Sequence, residues 1–472
     1  MVTRACSEGK LRDSYKLEAP EMHILYLHQY FTPPDGCGST RSYEMARRFV
    51  AAGHRVTLVT SDAFFPPSYQ WPSLVTAMNL DGIELKVIRA KYSNKQSYIR
   101  RILAFFYFAI LSSWVALRIG KVDLIFATST PLTIMIPAVL AKHLKRAAMV
   151  FEVRDQWPSV PIALGILRNR IAIFIARQME RIAYAEASHI VALSPPTADG
   201  IRSAGVPAEK ISVVPNCSDI EFFRSASGIH NSFLEQHPQF KDKKIVAYAG
   251  TLGFANGVDY LIALAAQLKT SLPDVVFAIV GDGAKRRELL ALSQELGVHH
   301  VNTWILPPAP KRDVASLFAS ATVCASTFIK EAAPWPNSAN KFFDALAAGK
   351  PIIVNYGGWQ KSLLENSGAG IALPTSDIEA AAKSLTEYLR DTDALEKACA
   401  ASRKIGETQF NRNYWARKLM MILEQAAKNS APRTDSDIFT QAGSPSNGRL
   451  ASSPSLERLQ FPNKSNSNEE HV

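Results

Sequence analysis

Residues 23–61 read HILYLHQYFTPPDGCGSTRSYEMARRFVAAGHRVTLVTS, and their pattern indicates the fold class. A short apolar run leads through a turn-rich stretch into a helical pattern, which ends in a second apolar run. Continuous apolar runs are typical of parallel strands covered on both faces, and a helix between two of them makes a βαβ unit. The segment therefore predicts an α/β domain with a doubly wound parallel sheet.

The same alternation fills most of the chain. IELKVIRA, DLIFATS, AAMVFEV and HIVALS predict further strands of a first domain over residues 21–214, and the pattern restarts at KIVAYAG in a second domain over 244–393. The polar stretch 215–243 is interpreted as an irregular linker, and the helical residues 394–428 are expected to pack back on the first domain. The sequence thus predicts two Rossmann-like domains facing a cleft.

The composition separates an ordered body from its two ends. The chain has 472 residues, 47% hydrophobic and 20% charged, which excludes a fully disordered or fibrous protein. Residues 1–20 lack the apolar run of a secretory signal, and 429–472 are rich in Ser, Pro and Asn. We expect both ends to be disordered.

Cysteines and net charge limit the class of partner. The five cysteines form no CxxC pair, which disfavours a disulfide framework or a structural metal site and indicates a reducing, cytosolic environment. The formal net charge of +11 favours an anionic partner, whether nucleic acid, a phosphorylated ligand or an anionic membrane surface. No run of aromatic and basic residues resembles a base-stacking platform, so we expect no nucleic acid partner.

The most apolar stretch, residues 102–119, is open to three interpretations. It predicts a buried helix, a helix whose aromatic face touches a membrane beside Arg100 and Arg101, or a transmembrane span interrupted by Ser112 and Ser113.

Ligands of open parallel sheets bind beyond the carboxyl ends of the strands, so the loops there are the candidate sites. Gly36 and Gly38 follow the first strand and allow close approach of a ligand, with Ser39 or Thr40 as a cap for the next helix; an ordinary structural turn is the alternative. Arg41 occupies the third glycine position of a GxGxxG fingerprint, which disfavours nicotinamide binding.

A charged cluster follows another strand of the first domain. Asp155 is a candidate to accept a proton or hold a sugar hydroxyl, while Arg154 can hold a phosphate or pair with a carboxylate. Trp157 follows in the same loop. The alternative is a buried salt bridge without catalytic function.

Two glycine-containing loops of the second domain suit the approach of a diphosphate to the backbone. The candidates are Gly250, Thr251, Gly253, Gly281, Asp282 and Gly283. Asp282 can instead cap a helix.

The stretch 337–351, NSANKFFDALAAGKP, is the most informative. Ser338 or Asn340 can start a helix that places Lys341 in its first turn, where a cation opposes the helix dipole and an anionic ligand would explain it. Asp344 lies on the same face and can hold ribose hydroxyls; a surface Asp–Lys pair is the alternative. Glu331 lies in the preceding loop, which either folds over a bound sugar or is simply solvated.

Taken together, these motifs resemble the retaining glycosyltransferases of family 4, which have the GT-B fold. The resemblance covers residues 22–427 and rests on GCGSTRSYEMARRFVAAGHRVTLVTS, VVPNCSDIEFF, GTLG, VGDG and NKFFDALAAGKPIIV. HQYF, EVRD and PNSANKFFDALAAGKP resemble more closely a subgroup that includes bacterial L-fucosamine transferases of surface-polysaccharide and O-antigen assembly.

The resemblance implies site roles. Gly36 and Gly38 correspond to the glycine loop, Lys341 to the donor-phosphate lysine and Asp344 to the ribose-binding carboxylate, while Arg154, Asp155 and Trp157 match the charged motif of the subgroup. We therefore expect Asp155, Lys341 and Glu331 as catalytic residues, Arg154 and Trp157 on the acceptor side, and no bound metal or other cofactor.

The chain departs from the family at two points. Eight positions before Asp344, where many members have a glutamate, stands Pro336, and Glu331 is out of register. The basic residues that many members place after the GTLG-like loop are replaced by Phe254, Ala255, Asn256 and Gly257. Phosphate charge would then fall on Lys341 and on helix ends.

The resemblance implies transfer of a sugar, with retention, from a nucleotide diphosphate-sugar to a saccharide or lipid-linked acceptor in the cytoplasm, at the inner membrane surface. The alternatives are a UDP-sugar 2-epimerase of the same fold class and a non-catalytic nucleotide-sugar binding protein.

Overall fold

A computed structural model describes residues 20–92, 96–217, 219–227 and 231–430 of the chain. Within these residues the chain forms one eight-stranded and one six-stranded sheet, each mostly parallel. The prediction of two doubly wound α/β domains is therefore confirmed. The expected disorder of residues 1–20 and 429–472 concerns residues that lie, apart from Pro20, Asn429 and Ser430, outside the described part.

The first domain places its crevice beside β1. Its strands are β1 His23–Leu27, β2 Arg55–Ser61, β3 Val75–Leu80, β4 Ile83–Ile88, β5 Leu124–Thr128, β6 Ala148–Val153, β7 His189–Ala192 and β8 Ile211–Val213. Its helices are α1 Arg41–Ala51, α2 Tyr98–Arg118, α3 Met135–Lys145, α4 Ser159–Ala163, α5 Arg170–Glu186 and α6 Pro195–Ser203. The sheet order is β3-β4-β2-β1-β5-β6-β7-β8, with only β3 antiparallel. The chain direction across the sheet reverses at β1, which opens a crevice at its carboxyl end.

The second domain repeats this plan. Its strands are β9 Lys244–Ala249, β10 Val275–Val280, β11 Thr303–Leu306, β12 Val323–Ser326, β13 Ile352–Val354 and β14 Gly370–Ala372. The helices that follow α6 are α7 Ile220–Ser227, α8 Asn231–Gln236, α9 Asp259–Ser271, α10 Arg286–Glu295, α11 Lys311–Ser320, α12 Asn340–Ala347, α13 Trp359–Ser367, α14 Ile378–Arg390, α15 Thr392–Thr408 and α16 Arg412–Ser430. In the order β11-β10-β9-β12-β13-β14 the direction reverses at β9, so both crevices lie beyond the first strand of a domain.

The expectation of an irregular linker over 215–243 is wrong for about half of its length. Helices α7 and α8 lie in this stretch, and Ile220, Phe223, Phe233 and Phe240 are buried in the core of the second domain. Burying these side chains removes apolar surface from water, which holds the segment on that domain.

The C-terminal helices divide between the domains. Helix α16 packs on the first domain as expected, with Trp415, Leu419 and Leu423 in its core. Helix α15 packs on the second domain instead, where Ser402 Oγ donates to the carbonyl oxygens of Lys350 at 2.9 Å and Ala369 at 3.1 Å. The expectation that all of 394–428 packs on the first domain is therefore wrong for α15. Helix α16 continues to the end of the described chain, two residues beyond the expected boundary.

Helix α2 is buried on one side only. Phe108, Val115 and Ala116 lie in the first-domain core, whereas Ile99 and Ile110 are largely exposed. The helix is long enough and apolar enough to cross a membrane. Of its most apolar 18-residue stretch, 39% is buried within the protein. The interpretation of this stretch as a buried helix is therefore correct for the side that faces the core and wrong for the side that faces solvent.

Candidate functional site

A cavity of about 530 Å³ lies between the two domains, at the carboxyl ends of the strands. From the first domain, residues 37–39, Phe64 and Tyr92 line it. From the second domain, both glycine-containing loops and the start of α12 line it. The volume falls in the range of small-molecule sites, about 300–1,000 Å³.

Lys341 is a buried amine in this cavity, with 8% of its surface exposed. Its Nζ donates to Tyr248 Oη at 3.0 Å and lies 4.5 Å from the centroid of the Tyr248 ring. No carboxylate of the described residues forms an ion pair with it. Burial lowers the pKa of Lys341 to about 7, so the site holds an amine for which an anionic partner would restore the charge.

A second cation reaches the cavity from α11. Lys311 forms an ion pair with Asp344, and both side chains line the cavity. The interpretation of Asp344 as the surface partner of Lys341 is wrong, because Asp344 is buried and pairs with Lys311. Lys311 was not among the residues predicted from the sequence. A signal was available, since Lys311 is the first residue of a helix and opposes the dipole in the way that singled out Lys341.

The two glycine loops of the second domain pack against each other. Leu252 N donates to the Asp282 carbonyl at 2.9 Å, and a Cβ on Gly283 would lie 2.5 Å from the carbonyl carbon of Leu252. Glycine is therefore required here for contact between the loops, as well as for any approach of a ligand to the backbone. The side chain of Asp282 accepts from Gly283 N at 2.8 Å, and α10 begins only at Arg286, so Asp282 does not cap that helix.

Most of the residues predicted to bind the donor come together in this cavity. Those that line it are Gly38, Gly250, Thr251, Gly281, Asp282, Gly283, Asn340, Lys341 and Asp344. Gly36 and Gly253 lie in the same loops but do not line it. Their roles in binding stay predictions.

The predicted acceptor-side residues lie behind or outside the cavity. Arg154 donates to Ser39 Oγ at 3.1 Å and contacts His28 Nε2 at 3.3 Å, so it supports the loop that forms the cavity wall. Asp155 is exposed and accepts from Thr130 Oγ1 at 2.9 Å. Trp157 packs at the edge of the first-domain core. None of the three residues predicted here lines the cavity.

Glu331 is also outside the cavity. It is exposed, in a loop tied to the second domain by Ile329 N, which donates to the Ala255 carbonyl at 3.2 Å, and by Trp335 Nε1, which donates to the Ile329 carbonyl at 3.1 Å. Glu331 therefore does not line the cavity in this structure, and its catalytic role stays a prediction.

Helix α12 begins at Asn340 and has Lys341 in its first turn, as expected, whereas the side-chain cap expected before α1 is not found. Thr40 precedes α1 and Ala339 precedes α12, and neither forms a side-chain cap. Ser39 accepts from Arg154, and Ser338 Oγ accepts from Asn216 N at 3.0 Å. These hydroxyls join separate segments rather than closing a helix end.

A buried ion pair that was not predicted from the sequence lies at the inter-domain crossing, where the chain leaves the first domain at Val214 and Pro215. Arg41 Nη2 lies 2.8 Å from Glu152 Oε1, with both side chains almost fully buried. Arg41 Nη1 also donates to the Pro215 carbonyl at 2.7 Å, and Arg41 Nη2 donates to the Val214 carbonyl at 3.0 Å. The buried salt bridge considered for the 152–158 cluster exists, but it joins Glu152 to α1 and to the inter-domain crossing.

The described residues contain no group of three His, Cys, Asp or Glu side chains that could hold a metal ion. Cys37, Cys217, Cys324 and Cys399 are free thiols.

Comparison with known families divides the chain in two. Residues 36–217 match the family described as "Glycosyl transferase 4-like domain". Residues 231–405 match the family described as "Glycosyl transferases group 1".

Two curated relatives carry similar names. The putative colanic acid biosynthesis glycosyl transferase WcaI of Escherichia coli K12 is 26% identical over 271 residues, covering 55% of this chain and 65% of the relative. An alpha-D-kanosaminyltransferase of Streptomyces kanamyceticus is 30% identical over 124 residues, covering 26% of this chain and 32% of the relative. The matched region thus spans slightly less than two thirds of one relative and about a third of the other.

A solved structure supports the fold. Anabaena HepE in complex with UDP-glucose superimposes with a TM-score of 0.65 at 18% identity, covering 86% of this chain and all of HepE. At this identity the likeness shows the fold, which is the two-domain GT-B architecture.

Proposed function

We propose that this chain, which matches a glycosyl transferase 4-like domain over residues 36–217 and the glycosyl transferases group 1 over residues 231–405, transfers a sugar from a nucleotide diphosphate-sugar to a hydroxyl group, with retention of anomeric configuration. The observation that carries the proposal is Lys341, a buried amine without a carboxylate partner among the residues that the structure describes, in a cavity between the domains. The UDP-glucose bound by HepE supports a UDP-linked donor.

The donor diphosphate lies at the start of α12 in this proposal. A diphosphate beside Lys341 restores the ammonium charge, and the backbone amides at the helix start contribute further positive potential. Lys311 supplies a second cation in place of the basic residues missing after Gly253. Charge at the phosphates is thereby divided between Lys341, Lys311 and backbone amides.

Asp344 fixes the ribose in the same proposal. It lines the cavity one helical turn after Lys341, and its ion pair with Lys311 holds its carboxylate in place. Lys311 therefore positions the ribose-binding group as well as contributing charge.

The reaction exchanges one carbon–oxygen bond for another. The bond from the anomeric carbon to the diphosphate oxygen breaks, the acceptor oxygen bonds to the same carbon, and the proton of the acceptor hydroxyl leaves with the released diphosphate. Lys341 and Lys311 stabilise the negative charge that develops on the leaving group, which is electrostatic catalysis without a resident metal. Asp155 and Glu331 take part only if closure of the domains brings them to the acceptor.

The acceptor is a saccharide or a lipid-linked saccharide in the synthesis of a bacterial surface polysaccharide such as lipopolysaccharide O-antigen. The name of WcaI, a putative colanic acid biosynthesis glycosyl transferase, supports this class of pathway. The name of the second relative, a kanosaminyltransferase, supports an amino or deoxy sugar as the transferred group, and fucosamine is the proposed case. The enzyme acts in the cytoplasm, at the inner face of the plasma membrane.

The test begins with donor binding. UDP-, GDP- and dTDP-sugars are screened for thermal stabilisation of the full chain, and the stabilising donors are then assayed for transfer to lipid-linked acceptors. Lys341→Ala should weaken UDP binding by about 10- to 100-fold, the loss expected for a charge-assisted contact of about 1.5–3 kcal/mol. Lys383→Ala, on the exposed side of α14, is the matched control and should bind UDP normally.

Three outcomes would contradict the proposal. Conversion of a UDP-sugar to its 2-epimer in the absence of any acceptor would show an epimerase. Donor binding without transfer to any acceptor would favour a non-catalytic binding protein. Unchanged turnover in Lys341→Ala would exclude this helix start as the phosphate site.

A further inference from the structure

Helix α2 presents a continuous apolar stripe to solvent. Ile99, Leu103, Phe106, Ile110, Trp114 and Leu117 recur at intervals of three or four residues, and each has 40–70% of its surface exposed. With a rise of about 1.5 Å per residue, the stripe is roughly 27 Å long. An exposed patch of this extent is typical of an interaction surface.

Two neighbouring helices widen the stripe into a face. Helix α3 packs between α2 and α5 and exposes Leu140 and Leu144. Helix α5 exposes Ile171 and Phe174 in its first turns, at 71% and 62%. We call the exposed apolar side chains of α2, α3 and α5 the three-helix face.

The charges around this face have one predominant sign. The three helices contain eight Lys or Arg residues and only two acidic residues, and α2 has no acidic residue at all. Of the two acids, Glu186 is paired with Lys142 at 2.7 Å and Glu180 accepts from Tyr184 Oη at 3.1 Å. The net positive charge at the rim is therefore not neutralised by neighbouring carboxylates on these helices.

The side chains at the rim combine apolar and cationic parts. The guanidinium carbon of Arg118 lies 3.8 Å from the centroid of the Trp114 ring, so a cation and an aromatic ring share one end of α2. Arg100 is exposed at the other end of the helix, and Arg170 begins α5. Apolar side chains between exposed basic residues are characteristic of helices that lie in the interface of an anionic membrane.

We propose that the three-helix face docks on a membrane containing anionic phospholipid, with α2 parallel to the bilayer plane. A span is disfavoured because crossing the bilayer would remove Phe108, Val115 and Ala116 from the first-domain core. A second copy of the chain would fit the apolar side chains, but it would bring the two basic rims together, whereas an anionic surface complements them.

Helix α2 also contacts the cavity wall, through a buried side chain that is not part of the three-helix face. The ring of Phe105 on α2 lies 5.5 Å from that of Tyr92, and Tyr92 lines the cavity. Docking would therefore hold the cavity beside the lipid headgroups. This last point rests on the proposed function, since it matters for a lipid-linked acceptor, but the docking itself does not.

The test uses the full chain and vesicles of phosphatidylcholine with and without phosphatidylglycerol, in a flotation assay. The wild-type protein should float with the phosphatidylglycerol vesicles, and binding should fall as salt is raised. The double variant Ile110→Glu/Phe174→Glu should bind at least about tenfold more weakly. The matched control Val301→Glu/Met421→Glu changes two apolar residues of similar exposure, 59% and 56%, in the second domain and on α16, and should bind like wild type.

Stabilisation by UDP is measured on the same samples. It should be unchanged in Ile110→Glu/Phe174→Glu, so failure of docking is distinguishable from failure of the donor site. The proposal is overturned if wild type does not float, if neutral and anionic vesicles bind it equally, or if the control variant loses binding to the same extent. A dimer of the wild-type chain that Ile110→Glu/Phe174→Glu converts to a monomer would assign the face to a second copy instead.

Discussion

UDP binding should draw a proton into the cavity, because the amine of Lys341 is only partly charged before the ligand arrives. Burial lowers the pKa of Lys341 to about 7, so about half of the unliganded molecules carry a neutral amine at pH 7. A diphosphate at hydrogen-bond distance favours the ammonium form and raises this pKa. The phosphates themselves are already ionised above pH ~7, since their second pKa is about 6.

The size of the effect follows from linkage. If bound UDP returns the pKa of Lys341 to its ordinary value of 10.5, UDP affinity falls about fivefold between pH 7 and pH 8 and about 50-fold between pH 7 and pH 9. The 50-fold change corresponds to about 2 kcal/mol and is an upper limit. Proton uptake on binding rises from about half a proton at pH 7 to about one proton at pH 9.

The assay is isothermal titration calorimetry with UDP in pairs of buffers that differ in ionisation enthalpy. The difference in observed heat gives the number of protons taken up at each pH. Lys341→Met removes the titrating amine, so it should bind UDP weakly and take up no proton, while Lys383→Ala should behave like wild type. Absence of proton uptake in wild type, or the same pH dependence in Lys341→Met, would refute the reasoning.

Four substitutions extend the account. Lys341→Met should raise the melting temperature of the unliganded protein, because the pKa of Lys341 is lower in the folded state than in the unfolded state. The buried amine therefore lowers the free energy of unfolding, by roughly 4 kcal/mol at pH 7, fully below pH 7 and not at all towards pH 10.5. Calorimetry at several pH values measures this difference between the two proteins. Lys311→Met should weaken UDP binding about tenfold or more, with Lys311→Arg retaining most of it; equal affinity in all three proteins would exclude a phosphate role. Gly283→Ala should destabilise by about 1–3 kcal/mol and weaken UDP binding, whereas Gly120→Ala, where a Cβ meets no neighbour within 4 Å, should do neither in the same assays. Arg41→Met leaves its buried carboxylate partner unpaired and should lower the melting temperature by roughly 10 °C; a shift below about 2 °C would contradict the structural role of this pair.

Elements with a strong local pattern were predictable from the sequence. The continuous apolar runs of β1, β2 and β10 identify buried parallel strands without any tertiary information. Strand β3 was not predicted because it is a half-exposed edge strand with a mixed pattern. The turn that follows it, Asp81-Gly82, carries a hairpin signal, and both residues have positive φ, 49° and 83°.

Elements that depend on tertiary contacts were not predictable. Helices α7 and α8 are short, six to eight residues, and lie in a polar stretch. They are stabilised because Phe223 and Phe233 are buried in the second-domain core. The local sequence pattern does not predict this tertiary contact. The division of α15 and α16 between the two domains has the same origin.

The candidate site shows the same limit. Residues that lie close together in the sequence, such as Lys341 and Asp344, were identified together, and both line the cavity. Lys311 is far from them in sequence and joins them only because folding brings the start of α11 to Asp344. Asp155 and Glu331 were selected for their chemistry, but their position relative to the cavity depends on loop conformation, which sequence spacing does not determine.

The central claim, that the start of α12 receives the donor diphosphate, is tested most directly by a crystal structure of the chain with UDP. We expect a diphosphate oxygen within about 2.7–3.2 Å of Lys341 Nζ, between the loops of the two domains. UDP bound elsewhere, with Lys341 Nζ still hydrogen-bonded to Tyr248 and not to a phosphate oxygen, would contradict it.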